Sequence, residues 1–183
     1  MKSLLNMKPT LMEWRRRAGP GLAYDLHTAE GIAASLVFPD RGSTLARVET
    51  AEGAWTIMHP DLLNPVTTVR VAGATDNLAL FHPHALRHGS LEFSDGVAYD
   101  WAALDGTPAG GAFLSQAGTP LVRLHPRLGL DPIQDLESGM VELGHPPQQA
   151  WRHGILAALG WYLLVLDHFK ENPEHAAEFS LRL

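Results

Sequence analysis

Short segments that are apolar, or that alternate apolar with polar residues, recur from residue 11 to residue 143, separated by Gly, Pro, Asp and Asn. They predict strands at 11–16, 22–27, 32–38, 45–51, 54–59, 66–72, 78–81, 89–94, 97–101, 112–115, 121–125 and 136–143. Many are rich in Val, Ile, Thr, Phe, Tyr and Trp, the side chains that suit a pleated, half-buried surface. Three joints read as hairpins. In residues 91–99, Leu91 and Phe93 alternate with Glu92 and Ser94 up to Asp95-Gly96, a pair suited to the two positive φ angles of a type I′ turn. The others turn at Glu52-Gly53 and near Gly118. No long helical pattern separates the strands, so βαβ units and a parallel sheet are not expected. An antiparallel meander is, and so many strands curl or close on themselves.

The pattern changes after Pro146-Pro147. Proline suits a helix start, where its missing N–H costs nothing, and Asn172-Pro173 is a natural stop. One helix is predicted over about 148–169, followed by a short tail, 170–183. The middle of that helix, 154–166, is apolar on every side, so it belongs inside protein or inside lipid. Length decides between them. The stretch rises about 20 Å, whereas a bilayer core of about 30 Å asks for about 20 residues. Arg152 and Asp167 bracket it and oppose the helix dipole, so each is expected to have a partner or to sit in water. His168 and Lys170 agree with the dipole. The fold expected is therefore mainly β: a closed antiparallel barrel of about twelve strands around a buried apolar C-terminal helix, forming one domain over 1–183.

At this point the chain resembles the tubby-like superfamily, which includes tubby C-terminal domains, LURP-one-like proteins and phospholipid scramblases. The succession of strand-like segments before one C-terminal apolar helix carries the resemblance. So do the hairpin-rich centre from Arg87 to Trp101 and the helical stretch from Gly154 to Leu166. The resemblance covers nearly the whole chain and is architectural. It implies a twelve-stranded barrel around a hydrophobic helix. Tubby domains bind phosphoinositide headgroups through a basic patch. This chain carries a net charge of −6 and has no Lys between Lys8 and Lys170, so no such patch maps onto it. Scramblase-like members have an acidic calcium segment and acylated cysteines, and neither is found here.

Composition narrows the chemistry. Without cysteine there is no disulfide framework, Cys-ligated zinc, iron–sulfur cluster or thiol nucleophile. The acidic balance argues against a nucleic-acid partner. The one basic run, Arg15, Arg16 and Arg17, reads as a solvated face or strand end. Residues 1–12 contain no continuous apolar stretch, so no secretory signal is read there and a cytoplasmic location is expected.

Ten His are present, and His82-Pro83-His84 is the tightest group. On a strand, His82 and His84 would face the same side and could share a metal, with His59 as a third ligand. Against this, His59-Pro60, His82-Pro83, His125-Pro126 and His145-Pro146 all stand where a run ends, and proline closes strands. Strand-end punctuation is the reading adopted, with no metal and no cofactor. Asp95 with Asp100, or Asp131 with Asp135, are available carboxylate pairs of unspecified separation. Ser35, Ser90, Ser94 and Ser115 lack a nucleophile-elbow context. The Gly-rich run 106–111 lacks the Lys of a phosphate loop and reads as a flexible loop. Trp55, Trp101, Trp151 and Trp161 read as core. No catalytic signature emerges. The leading expectation is a non-catalytic binding or scaffold module of tubby-like type, with a lipid headgroup or a protein as partner classes. A His-dependent metal-using hydrolase and a membrane-associated lipid binder are the alternatives.

Overall fold

The computed structural model describes residues 12–19, 21–39, 43–60, 65–105, 109–128, 136–144 and 150–172. Among the described residues twelve strands run in chain order: β1 Met12–Arg16, β2 Leu22–Thr28, β3 Gly31–Phe38, β4 Ala46–Thr50, β5 Gly53–Met58 and β6 Thr67–Val71. They continue as β7 Ala79–Pro83, β8 Gly89–Phe93, β9 Ala98–Leu104, β10 Gly110–Ser115, β11 Pro120–Leu128 and β12 Leu136–Leu143. A 3-10 turn, Ala85–Arg87, joins β7 to β8, and one helix, α1 Ala150–Glu171, follows. Each strand pairs antiparallel with the next. β1 pairs with β12 (Met12 opposite Val141, Arg15 opposite Ser138), and the barrel closes. Closure leaves no unpaired edge, which is how an all-antiparallel sheet of this size avoids exposing a pairing template.

Alternation decides which faces look inward. Trp14, Tyr24, Leu26, Leu36, Val48, Ile57, Val69, Phe81, Leu91, Phe113, Leu124 and Val141 are buried. On strands such as β4, β5, β6 and β8 the residues between the inward positions are mostly partly or fully exposed, whereas β2, β3 and β10 are buried on both faces over part of their length, with Asp25 and Ser35 among the buried residues. The helix fills the interior they create. From Arg152 to Tyr162 every residue is buried, so α1 has no solvent face over that stretch. This matches its apolar circumference: inward strand faces and helix bury each other. Among the described residues, no helix is long and apolar enough to cross a membrane.

Both charged residues that oppose the helix dipole have found partners. Arg152, 3% exposed, forms an ion pair with Asp95 and donates to the Tyr99 hydroxyl at 3.4 Å. Its guanidinium lies 4.9 Å from the Phe93 ring centre and 5.2 Å from that of Trp151. Asp167, at the other end, pairs with Arg87. Between them, the Tyr162 hydroxyl donates to the Thr44 carbonyl at 2.8 Å and accepts the His59 N–H at 3.0 Å. This contact ties the helix to the end of the β3–β4 connection and the start of the β5–β6 connection.

The β8–β9 hairpin forms as expected, with a different turn. Gly96 N–H bonds to Phe93 carbonyl and Phe93 N–H to Val97 carbonyl, which makes a three-residue loop, Ser94-Asp95-Gly96. Only Gly96 takes positive φ, at 82°, so this is a type I turn closed by a left-handed glycine and not a type I′ pair. Asp95 keeps ordinary φ and is free to take the Val97 N–H at 3.3 Å and Arg152. Gly118 closes the β10–β11 hairpin in the same way, at φ 76°. The β4–β5 turn lies one residue earlier than expected, with Gly53 already paired to Thr50. A Cβ on Gly96 would meet nothing within 4 Å, so Gly96→Val tests backbone conformation alone. It should cost more than about 1 kcal/mol, against a few tenths for Gly96→Asn. An unchanged urea midpoint for Gly96→Val would contradict the turn.

Two further expectations are corrected. His125-Pro126 does not end a strand, because β11 runs on to Leu128. Pro126 is buried opposite Gly139 of β12, beyond Leu124, where the pairing of β11 with β10 has stopped. It is tolerated where β11 has one neighbour only. The end of the Gly-rich run is not loop: Gly110 and Gly111 begin β10. A Cβ on Gly111 would fall 2.1 Å from the Trp101 ring, and one on Gly110 would fall 2.3 Å from the Leu124 carbonyl oxygen. Their glycines serve close packing. Residues 106–108, His145-Pro146 and Asp131 with Asp135 lie outside the described residues, as do 148–149 at the expected helix start; α1 extends to Glu171, past its expected end.

Candidate functional site

Near its C-terminal end the helix no longer fills the barrel. Leu163 is the one residue between Arg152 and Leu166 that is not buried, and it faces a cavity of about 290 Å³. Phe81, Trp101, Leu163 and Leu166 supply apolar walls. His59, His84, Arg87 and His88 come from the β5–β6 and β7–β8 connections, and Asp167 and Lys170 from the last turns of α1. The chemistry is mixed in the way ligand pockets usually are, with an apolar body and a few convergent polar groups.

Arg87 has the most unusual setting. It is the one non-Gly residue with positive φ (60°) among the described residues, a conformation that costs a residue with a Cβ about 1–2 kcal/mol. The surrounding connection holds it there: His84 N–H bonds to the His88 carbonyl at 2.7 Å, and His88 N–H to the Ala85 carbonyl at 3.4 Å. The guanidinium Nε stands 3.3 Å from Asp167 Oδ2, and Nη1 stands 3.6 Å from Glu171 Oε1. Burial pushes the Asp167 carboxyl up from the ordinary carboxylate range, and the neighbouring Arg87 and Lys170 offset this only in part.

His59 and His84 both line the cavity, whereas His82 does not. His59 is buried at the cavity wall, with Nδ1 3.2 Å from the Thr67 hydroxyl. His84 lies past the end of β7, at the entry to the 3-10 turn, with Nε2 3.4 Å from the Ser90 hydroxyl. His82 is still within β7, opposite Ser90 and one residue after the inward-facing Phe81. The strand ends at Pro83, so the alternation that would have set His82 and His84 on one side stops between them. Among the described residues, no three His, Asp or Glu side chains converge as metal ligands would. Asp95 is committed to Arg152, and Asp100 is exposed on β9. Trp55, Trp101 and Trp161 are buried and Trp151 packs on the core, as expected; Trp101 is also a cavity wall. No local sequence pattern marks Arg87, since nothing marks an arginine for left-handed backbone.

A larger hollow, about 560 Å³, lies outside the barrel against β1 and β12 and is lined by Glu13, the basic run and Glu137. Its lining contains no large apolar side chain among the described residues. Arg15 pairs with Glu13 at 2.7 Å, and Arg17 pairs with Asp25, whose second partner is the Ser35 hydroxyl at 2.6 Å. The Arg17 guanidinium holds the Asp25 carboxyl below the usual carboxylate range.

Asp25 and Asp167 are thus shifted in opposite directions, and opposite pH dependences follow. The Asp25 contribution is present above its unfolded pKa (about 3.9) and is lost as pH falls through its depressed native value. For Asp167 the native state holds the proton longer than the unfolded chain, so stability declines as pH rises from about 3.9 through the raised value. Thermal denaturation from pH 3.5 to 7 should show Asp25→Asn losing stability relative to wild type as pH rises, and Asp167→Asn gaining. Profiles parallel to wild type in both variants would refute the two environments.

Set against family models, curated proteins and solved structures, the chain gives no match in any of the three comparisons.

Proposed function

We propose that this chain is a non-catalytic binding module of tubby-like type whose ligand site is the cavity at the C-terminal end of the enclosed helix. The barrel threaded by an apolar helix is the architecture that the resemblance implies, and it supports the tubby-like part of the reading. The observation that carries the binding part is the cavity itself. A helix that seals the barrel elsewhere leaves about 290 Å³ open beside Leu163, with an apolar wall and a polar rim. Ligand pockets are built in this way, and the mouths of barrels are among their usual places. The charged groups there, Arg87, Asp167 and Lys170 around an apolar wall, support recognition over chemistry.

Ligand-observed NMR with a small aryl panel (benzyl alcohol, benzamide, benzoate) tests the reading. At least one compound should bind wild-type protein and be lost in Leu163→Trp, which fills the cavity, with an unchanged far-UV spectrum. Binding unaffected by Leu163→Trp, or none at all, overturns it.

A further inference from the structure

The cavity is electrostatically lopsided. Arg87 and Lys170 bring fixed positive charge to it and His84 and His88 bring imidazoles, against one lining carboxylate, Asp167, in a chain whose net charge is −6. Within this cluster the Arg87 guanidinium is poorly satisfied. It has five N–H donors, and among the described residues its one hydrogen bond is the 3.3 Å contact to Asp167; the 3.6 Å approach to Glu171 is too long to count as another. Arg87 is only half-buried, lines the cavity and is held by left-handed backbone at its edge.

We propose that the cavity binds a small organic monocarboxylate, its carboxylate gripped by the Arg87 guanidinium in place of Asp167 and its apolar body against Trp101, Phe81 and Leu163. This rests on the reading of the cavity as a binding site and adds the ligand's chemical class. The planar guanidinium fork matches a carboxylate in two parallel hydrogen bonds, a geometry that neither Lys nor imidazole reproduces. Asp167 is a weak competitor, because its burial already disfavours the charged form. Asp167 and Glu171 beside Arg87 disfavour a dianion, so a carboxylate fits better than a phosphate. The cavity volume, about 290 Å³, suits an aryl acid or a short-chain acid and not a long fatty acid.

Calorimetric titration of the full chain with benzoate, hexanoate, benzamide, phenyl phosphate and palmitate tests this. Benzoate or hexanoate should bind at least tenfold more tightly than benzamide. Arg87→Gln should lose at least tenfold for the acid and little for benzamide. Asp167→Asn should bind the acid several-fold more tightly, a gain that no loss of structure would produce. Equal affinity for benzoate and benzamide, or Arg87→Gln and Asp167→Asn both without effect on the acid, overturns the carboxylate assignment while leaving the cavity a binding site. Tighter binding of phenyl phosphate, or of palmitate over hexanoate, overturns it in favour of a phosphate or a long-chain lipid acid. Absence of binding by every probe overturns both readings.

Discussion

Leu159→Asp leaves the chain unable to fold, whereas Leu159→Ala costs about 2–5 kcal/mol and still folds. Leu159 is 0% exposed, in the middle of the stretch of α1 where every residue is buried. The alanine variant loses transfer free energy and leaves a cavity that the rigid barrel cannot close. The aspartate variant adds a carboxylate without a partner, and that desolvation cost is a large fraction of the stability of any domain. Leu163 supplies the internal control. It borders the cavity and is only partly buried, so Leu163→Ala should cost less than Leu159→Ala. A chain ended at Ala150 should aggregate or lose near-UV ellipticity, because the inward faces of the strands would have nothing to cover them. If that chain were monomeric and unfolded cooperatively, the helix would be an appendage and the barrel would owe it nothing.

Trp161→Ala should cost about 3–5 kcal/mol, the upper range for a core aromatic. Trp161 is 0% exposed. Its ring stacks on Trp14 with centroids 6.1 Å apart and meets Tyr24 edge-on at 5.4 Å, tying the helix to β1 and β2. The site is also bounded by Gly139 of β12, the register partner of Trp14, where a Cβ would fall 2.4 Å from the Trp161 ring. Gly139→Ala should therefore cost about 1–3 kcal/mol through overpacking. In a Trp161→Phe background, which trims the ring, the same change should cost less, because the two residues share one volume. Urea denaturation of the four proteins gives the coupling; additivity within about 0.5 kcal/mol would show that the contact is not the source of the cost.

Much of this fold is legible along the chain. Strand-forming segments could be located because a half-buried strand alternates with period two over a few residues, and the hairpin glycines mark turns by themselves. The helix was legible for the opposite reason: an apolar stretch without a polar face, too short for a bilayer, has to be enclosed by protein. Closure was a weaker inference, since it depends on Met12 meeting Val141, partners at the two ends of the sheet with no local signal between them.

What the tertiary structure alone decided concerns residues whose role is set by distant neighbours. The pairing of Asp95 with Arg152 depends on a hairpin tip reaching the start of α1, so the sequence could ask for a partner to Arg152 but not name it. The proline rule failed at Pro126 because whether a missing N–H matters depends on how far β10 extends beside it. Gly110 and Gly111 resemble loop glycines until Leu124 and Trp101 close on them. The cavity is the furthest from the sequence. His59 and Arg87 come from two different connections, Trp101 from β9 and Asp167 from α1, and no spacing in the chain records that they surround one space. Sequence by itself determined the elements and the need to bury the helix, because periodicity and amphipathicity are local. The site was decided by the ends of the barrel, where local pattern runs out and only the packed positions of distant side chains create a pocket.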